Sequence, residues 1–599
     1  MHCPTAAAAL PNLRLRSRHP VHRTQAMRAL SLCAAALVLP AILGAQEQQA
    51  KPATVIPAPD TKLPREHTPQ PTTADITPAD LMTRLYIFAD DSMQGREAGT
   101  IGNFKGTAYI ANEVQKLGLV PAGDSGTYFQ TVPLKTRRTD SSSTLIVAAT
   151  PLQFGTEWTA TGSSMAKSNL PVVYGGTIGE GTLISPDQAA GKLVVFSMSS
   201  SPTARRAIRN PQALASAAAA VAVVAPANIL GFISRPSEFV DDPSSAATRT
   251  TAIFIAEAAA SKLFDQPLSA LTPGVAGKTA TFDIRITSTP VLYPARNVVA
   301  LLPGRDPQLK GEYVAIGAHN DHIGFNTHPV DHDSIRIYNH IVRPRGADTQ
   351  RNQATPEQQA QVNELLAQYR ARHPGSQRAD SISNGADDDG SGTVSALEVA
   401  QKFASLKGDA RPRRSILFVW HVGEEKGLLG STYFTDHPTV PRDSIVAQLN
   451  MDMVGRGDAW DDTGTNLQGD DLHGGPNYLM IVGSHRLSTE LGDLIETVNR
   501  DDHHDMRIDY AFDANGHPEN IYCRSDHYEY ARYGIPIAFF TTGLHSDYHQ
   551  VTDEPEYIDY DNMAKVDRLV YDVAMHVADL DHRVVVDHPK PDPHGACRQ

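Results

Sequence analysis

The chain has 599 residues, of which 41% are hydrophobic and 20% are charged, so it can bury substantial cores and is not predominantly disordered. This length is enough for about three domains. The 67 acidic residues outnumber the 53 basic ones and give a formal net charge of −14, which argues against a protein that binds nucleic acid. With 4 cysteines, a fold built on disulfides is excluded.

The first 45 residues have the order of a secretory signal peptide. Basic residues extend to Arg28, an apolar run follows, and small residues precede the expected cleavage site after Ala45. Met27 is an alternative start that gives a leader of more usual length. A membrane helix is less favoured, because the run is short and Pro40 interrupts it. We expect a secreted or periplasmic protein without stable membrane insertion after cleavage.

The next segments differ in composition. Residues 46–74 are rich in Pro, Thr and Gln, which is typical of a flexible linker. Apolar residues then recur at helical spacing between 81 and 119, which predicts the N-terminal helical part of an α/β domain over 75–150.

Residues 151–290 are predicted to form a separate β-rich insert. Short β-rich runs at 170–174, 192–196 and 251–256 surround an alanine-rich stretch at 213–224, which we expect to be a helix. This order of elements resembles a protease-associated domain, and an unrelated small β/α module is the alternative.

From residue 291 to residue 583, strands and helices alternate, and residues 584–599 form a tail. Such alternation predicts an α/β fold with a mostly parallel mixed sheet flanked by helices. The expected strands cover 313–318, 415–421, 445–451, 478–484 and 535–541, and the expected helices cover 393–406, 487–498 and 563–580.

Polar residues follow the ends of these strands, where open α/β sheets place their ligands. His319 and Asp321 follow one strand, Glu424 and Glu425 follow another, and Asp452 follows a third. Taken alone, each has an ordinary alternative: an exposed His-x-Asp, a charged surface loop or a backbone cap.

Two further segments complete the set. Residues 384–392 place three consecutive acids, including Asp388, on a small-residue turn before a helix, and His549 lies in the loop after the last strand. A calcium loop is disfavoured because the EF-hand spacing is missing, whereas an acidic helix cap stays possible. Acids and histidines that follow strand after strand along one sheet edge are what two divalent ions need.

This set of residues resembles the co-catalytic di-zinc aminopeptidase family, which also includes glutamate carboxypeptidases, glutaminyl cyclases and the transferrin-receptor ectodomain. The resemblance covers roughly residues 75–583 apart from the insert. It implies two Zn²⁺ ions per chain. The implied ligands are His319 and Asp452 for one ion, Glu425 and His549 for the other, and Asp388 as the bridge between them.

The resemblance also implies three further roles. Asp321 would orient His319, Glu424 would be the general base, and Tyr522 would stabilise the developing oxyanion. A disulfide common near that tyrosine in related aminopeptidases is not reproduced, because Arg524 occupies one of its positions.

Two features are left open by the sequence. The polar stretch at 326–383, with a helix-like part at 356–372, is longer than is usual in the family and either shapes the substrate cleft or only decorates it. Outside the leader, Cys523 and Cys597 either pair or stay free.

The expected function is that of a zinc metallopeptidase that removes N-terminal residues from peptides. A carboxypeptidase for acidic termini is one alternative, with Arg456 and Arg524 as candidate contacts. A glutaminyl cyclase would use one zinc and would not need His319. A non-catalytic receptor module would be expected to lose the ligands, and all are retained.

Overall fold

The computed structural model describes residues 63–199, 211–242, 251–343, 353–375, 377–457 and 461–599. The predicted leader and most of the predicted linker lie outside these ranges. Within them, no helix has both the length and the apolar character needed to cross a bilayer.

The helices of the described part begin close to the expected position, since Thr77 caps the first by accepting a hydrogen bond from the Asp80 backbone N–H at 3.1 Å. In chain order they are α1 (Pro78–Phe88), α2 (Ile101–Lys116), α3 (Pro186–Ala189), α4 (Ala227–Ile233), α5 (Glu257–Phe264), α6 (His332–Val342), α7 (Pro356–Arg372), α8 (Gly392–Ser405), α9 (Leu429–Asp436), α10 (Thr489–Asp501), α11 (His527–Ala531) and α12 (Tyr560–Asp579).

The strands of the same ranges form two large sheets and three small ones. They are β1 (Val120–Pro121), β2 (Phe129–Val132), β3 (Leu134–Thr139), β4 (Thr144–Val147), β5 (Thr150–Leu152), β6 (Trp158–Thr161), β7 (Met165–Ile178), β8 (Leu193–Met198), β9 (Ala220–Ala225), β10 (Ser237–Val240), β11 (Ala252–Ala256), β12 (Ala276–Ile284), β13 (Ile286–Pro290), β14 (Ala295–Leu302), β15 (Tyr313–His319), β16 (Phe325–Asp331), β17 (Ala379–Ile382), β18 (Ser415–His421), β19 (Ile445–Met451), β20 (Asp462–Thr465), β21 (Asp471–His473), β22 (Tyr478–Val482), β23 (Arg507–Asp509) and β24 (Ile537–Thr541).

The main sheet has the order β1-β14-β18-β15-β19-β24-β22-β23, with β2 also paired to β14. Its four central strands β18, β15, β19 and β24 are parallel, whereas β14 and β22 run antiparallel to their neighbours among them. The predicted fold class, a mixed α/β sheet flanked by helices, is confirmed. The parallel centre matters most, because it brings four strand ends to one edge.

Both faces of this sheet are covered. On β15, Val314 and Ile316 point into a core shared with α1, α8, α10 and α12, whereas Ala315 points into a second core beneath α9 and α11. The central strands are therefore apolar at nearly every position, as expected for a parallel sheet buried on both sides. The predicted helix at 563–580 corresponds to α12, whose Met563 and Val570 are fully buried in the first core.

The second large sheet has the order β5-β4-β12-β7-β8-β9-β11-β6. Among the described residues, its apolar core is built only from residues 145–284. The sheet begins at Thr144, somewhat before the predicted boundary at residue 151. That it is a separate insert stays a prediction.

The helix predicted at 213–224 is wrong. A short 3₁₀ turn covers Pro211–Ala215, and Ala220–Ala225 forms β9, which lies between the parallel strands β8 and β11. Alanine favours a helix, but three β-branched valines occupy this segment and both faces of the strand are buried, so sheet packing overrides the propensity.

Cys523 and Cys597 form a disulfide, which settles one of the open alternatives. Gln599 adds to this anchor, because its side-chain oxygen accepts a hydrogen bond from the Tyr522 backbone N–H at 3.0 Å. The C-terminal tail is thus fastened next to the segment that follows β23.

We predict that residues 144–284 can be removed without loss of metal binding. The backbone N–H of Asp140 donates to the carbonyl of Arg285 at 2.8 Å, so the two ends of the segment already meet and a short glycine linker can join them. Zinc content measured by mass spectrometry should equal that of the full chain, while the preference for long peptides changes. Loss of both metals would show that the segment belongs to the core of the metal-binding domain.

Candidate metal centre

The ends of the parallel strands meet at one edge of the main sheet. His319 at the end of β15 pairs in register with His421 at the end of β18, so the residues that follow both strands are neighbours. Met451 at the end of β19 pairs with Phe540 near the end of β24. The loops that carry the predicted ligands are therefore assembled by the register of four strands.

Asp388 lies between two groups of candidate ligands. Its Oδ1 is 3.2 Å from His319 Nε2, and Asp452 Oδ1 lies 3.6 Å from the same nitrogen. Its Oδ2 is 3.1 Å from His549 Nε2, which is also 3.0 Å from Glu425 Oε2. Ligand atoms about 2.0–2.2 Å from a tetrahedral ion lie about 3.3–3.6 Å from one another, so both groups have close to the spacing of a metal site.

The second group contains a histidine that the sequence analysis did not single out. His322 is fully buried, and its Nδ1 lies 2.8 Å from Glu425 Oε1 and 3.6 Å from Asp388 Oδ2. Candidate ligand atoms of His322, Asp388, Glu425 and His549 all lie within 4.8 Å of one another.

Negative charge dominates the cluster. In the described part of the chain, the ion-pair partners of its four carboxylates are imidazoles, which are cationic only when protonated. Burying several carboxylates without cations is strongly unfavourable. The carboxylates are those of Asp388, Glu424, Glu425 and Asp452, and the imidazoles are those of His319, His322 and His549.

The two adjacent glutamates have opposite pKa shifts. Burial raises the pKa of Glu424 well above its ordinary value; His319, 4.0 Å away, acts to lower that pKa, but the carboxylates of Glu425 and Asp452 act with burial to raise it. Burial also acts to raise the pKa of Glu425, but the imidazoles of His549 and His322 outweigh it and lower that pKa to about 2. The two imidazoles thus keep Glu425 ionised, whereas Glu424 has no imidazole at a comparably short distance.

Unsatisfied atoms show that a metal ion fits here. His319 Nε2, Asp388 Oδ2, Glu425 Oε1 and His549 Nε2 are buried and have no hydrogen-bond partner. Buried polar atoms in folded proteins are nearly always satisfied, so such a concentration of exceptions needs an explanation. Imidazole and carboxylate ligands suit zinc, and two divalent cations would offset the four carboxylates.

Asp321 connects the two predicted glutamates to His319. The backbone carbonyl of Asp321 accepts a hydrogen bond from His319 Nδ1 at 3.1 Å, which leaves Nε2 with its lone pair toward the cluster. Its carboxylate lies farther away, 3.8 Å from Nδ1, and accepts hydrogen bonds from the backbone N–H groups of Gly423 at 2.7 Å and Glu424 at 3.2 Å. The side chain thus fixes the glutamate loop.

The turn that carries Asp388 is held from behind by other acids. Asp553 Oδ2 accepts from the backbone N–H groups of Asp387 and Asp388, and Asp389 accepts from the backbone N–H groups of His319 and Gly392. The carboxylates of Asp553 and Asp389 thus accept hydrogen bonds from the backbone and fix the turn. The side chain of Asp388 faces both ligand groups.

A cavity opens beside the cluster. Glu424, Asp388 and Asp452 form its polar part, and Arg524 and Tyr548 also line it. The apolar part is formed by Met453, Phe512, Ile521, Phe539 and Leu544.

Tyr522 is not among the residues that line this cavity. Its ring packs in the core against the rings of His527 and Tyr528, and the guanidinium of Arg486 lies 4.7 Å from its centroid. The tyrosine at the cavity is Tyr548, which stacks on His549 with ring centroids 3.9 Å apart. The geometry therefore does not support the role expected for Tyr522.

The arginines considered for an acidic substrate terminus are already paired. Arg456 is buried and makes ion pairs with Asp461 at 3.0 Å and Asp547 at 2.8 Å. Arg524 lines the cavity but makes an ion pair with Glu519 at 2.8 Å.

The long stretch at 326–383 packs on the loop that follows His549. Arg378 contacts Glu556 at 3.1 Å, and the guanidinium of Arg336 lies 3.7 Å from the ring centroid of Tyr557. The predicted helix at 356–372 is confirmed as α7. None of the described residues of this stretch lines the cavity.

A known peptidase family matches the part of the chain that carries this site. Residues 297–574 match peptidase family M28. The chain therefore carries an M28 peptidase domain. This domain includes the central strands and all the predicted ligands, and the predicted resemblance to a zinc metallopeptidase family is confirmed.

Similar proteins that overlap this domain occur in fungi. The chain is 32% identical over 207 residues to leucine aminopeptidase 1 of Paracoccidioides brasiliensis strain Pb03, which covers 32% of this chain and 47% of that protein. It is 33% identical over 208 residues to leucine aminopeptidase 1 of Leptosphaeria maculans. The match thus spans about half the length of these relatives. A solved structure, an aminopeptidase from Aneurinibacillus sp. strain AM-1, aligns over 86% of this chain and 97% of its own with a TM-score of 0.46 and 16% identity.

We predict that His322→Leu weakens metal binding at the Glu425 and His549 group. The change keeps a similar volume but removes both ring nitrogens, including the one 2.8 Å from Glu425, and losing such a contact typically costs 10- to 100-fold in affinity. Zinc retained against increasing chelator measures it. His328→Leu, at an exposed position, is the control. Identical retention in the two variants would contradict the prediction.

Proposed function

We propose that the chain is a zinc-dependent aminopeptidase that removes N-terminal residues with apolar side chains from peptides. The placement of Asp388 between two groups of orphaned ligand atoms carries this proposal. Two zinc ions would be held there, one by His319, Asp388 and Asp452 and the other by Asp388, Glu425 and His549. His322 would support Glu425.

The cavity supports the preference for an apolar N-terminal residue. Its apolar residues, with Phe512 and Phe539 among them, suit a large aliphatic or aromatic side chain, while the carboxylates of Glu424 and Asp452 at the same cavity suit a positively charged α-amino group. The match to proteins named leucine aminopeptidase points in the same direction.

The residues divide the work of hydrolysis among them. Zinc held by these ligands would supply a water molecule of lowered pKa and a Lewis acid for the peptide carbonyl. Glu424 faces the cavity, so it can accept the proton from the attacking water and deliver it to the leaving amine. Asp321 holds the loop of this base through two backbone hydrogen bonds. Tyr548 lines the cavity, so we assign its hydroxyl as the donor to the oxygen of the reacting carbonyl.

The alternatives fit these observations less well. A carboxypeptidase for acidic termini would need arginines that face the substrate, whereas Arg456 is buried between aspartates and Arg524 is paired with Glu519. A glutaminyl cyclase with one zinc would not need His319 in the cluster. A receptor module would not need five converging ligand side chains.

Two further proposals concern the cellular location of the protein and the role of the β-rich insert. We propose that the protein is secreted or periplasmic after removal of residues 1–45, on the strength of the leader pattern. We also propose that the β-rich insert restricts access of long peptides. Its strand β10 supplies Glu238, whose carboxylate lies 3.6 Å from the ammonium of Lys426, next to Glu425.

A panel of substrates tests the function. We expect hydrolysis of leucyl, methionyl and phenylalanyl chromogenic amides at a kcat/KM about tenfold or more above that of glutamyl and lysyl amides. Acetyl-leucyl amide, which lacks the free amino group, is the control and should not be cleaved. Release of C-terminal residues from N-terminally blocked peptides would favour the carboxypeptidase, and absence of any hydrolysis by zinc-loaded protein would contradict the proposal.

We predict that the two adjacent glutamates fail in different ways. Glu424→Gln keeps the shape but removes the base, so kcat should fall about 10²- to 10⁴-fold while zinc content stays near two. Glu425→Gln, the matched change, should lower zinc content because it removes a charged ligand. Turnover and metal analysis on the same preparations check both. Zinc loss in Glu424→Gln with retention in Glu425→Gln would reverse the roles.

A further inference from the structure

A second group of imidazoles and carboxylates lies where α10 ends. Asp502 follows the last residue of α10, and His504 lies two residues later in the turn that leads to β23. Asp572 and His576 lie four residues apart on α12, so they share one face of that helix. None of these four residues belongs to the metal centre or lines its cavity.

The four side chains form a contiguous cluster. His504 Nε2 is 3.0 Å from Asp572 Oδ2, and His576 Nε2 is 3.1 Å from Asp502 Oδ2. Candidate ligand atoms of Asp502, His504 and Asp572 lie within 4.8 Å of one another.

The orientation of His504 is the observation that points to a ligand. Its side chain is only 9% exposed, and its Nε2 is buried without a hydrogen-bond partner although it faces the carboxylate of Asp572. Asn499 fixes the turn, because its side chain donates to the Met506 carbonyl and accepts from the Met506 backbone N–H, both at 2.9 Å. The imidazole is thus held in place with an unsatisfied atom that points at an acid.

The surroundings favour a cation. The C-terminal end of a helix carries partial negative charge, and this cluster lies at the C-terminal end of α10. Glu490, Asp493 and Asp501 line a surface groove on α10 together with Asp502 and His576. Two imidazoles with two carboxylates suit zinc and related transition metals, whereas calcium and magnesium prefer oxygen ligands throughout.

We propose that Asp502, His504, Asp572 and His576 bind a further divalent transition-metal ion, separate from the two at the M28 centre. The ion would link the C-terminal end of α10 to α12. This proposal does not depend on the proposed peptidase function.

Zinc itself is the probe for the test. Metal-free wild type, His504→Ala and Asp572→Asn are equilibrated with micromolar Zn²⁺, and zinc per chain is measured together with the thermal midpoint before and after addition. His582→Ala is the matched control, because His582 forms a comparable exposed pair with Glu490 at 2.7 Å but lies outside the cluster. Hydrolysis of leucyl amide is measured in all four.

We expect the wild type and His582→Ala to bind one zinc more than either cluster variant and to gain more thermal stability from it. Leucyl amide hydrolysis should be the same in all four proteins. Equal zinc content and equal stabilisation across the set would overturn the proposal. So would stabilisation by Ca²⁺ or Mg²⁺ that matches the effect of Zn²⁺ and is lost in the same variants. Asp572→Asn, nearly identical in shape to the native residue, decides the case if His504→Ala folds poorly.

Discussion

The arrangement at the edge of the main sheet depends on the buried negative charge of the cluster at Asp388, to which the described residues offer imidazoles but no Lys or Arg as ion-pair partners. The acids form an outer and an inner group, which differ in the partners of their carboxylates. Asp321, Asp389 and Asp553 accept hydrogen bonds from backbone N–H groups, whereas buried oxygens of Asp388 and Glu425 face imidazoles and have no hydrogen-bond partner. Leaving a carboxylate buried and unpaired costs several kcal/mol, so bound cations would stabilise the inner acids. The outer acids use the backbone to keep the inner ones in that position.

This division explains why much of the site could be predicted. A metal ligand must follow a strand that ends at the common edge, and buried parallel strands are recognisable as continuous apolar runs such as Ser415–His421 and Ile445–Met451. An acid directly after such a run, as at Asp452, stands out because a buried charge needs a reason. The choice of Asp388 among three consecutive aspartates came from the family resemblance, since spacing alone does not tell which carboxylate faces the cluster.

What the sequence did not reveal depends on contacts between distant segments. His322 belongs to the second ligand group because the register of β15 and β18 places it against Glu425, and the second histidine of His319-Asn320-Asp321-His322 was its only local signal. Tyr522 was chosen by its position in the chain, but the cavity wall is completed by Tyr548 from another loop. The strand at Ala220–Ala225 was mistaken for a helix because its two sheet neighbours lie elsewhere in the chain.

The additional segments of the chain both attach to one half of the site. The β-rich part reaches Lys426 through Glu238, directly beside Glu425, and the stretch at 326–383 packs on the loop after His549 through Arg378 and Glu556. Glu425 and His549, like the bridging Asp388, sit on loops or turns rather than at strand ends held by the sheet. His319 and Asp452, which directly end or follow β15 and β19, receive their position from backbone pairing in the sheet. The extra segments thus lie where the sheet gives the least support, which makes the geometry of the second ligand group responsive to contacts far from the metal centre.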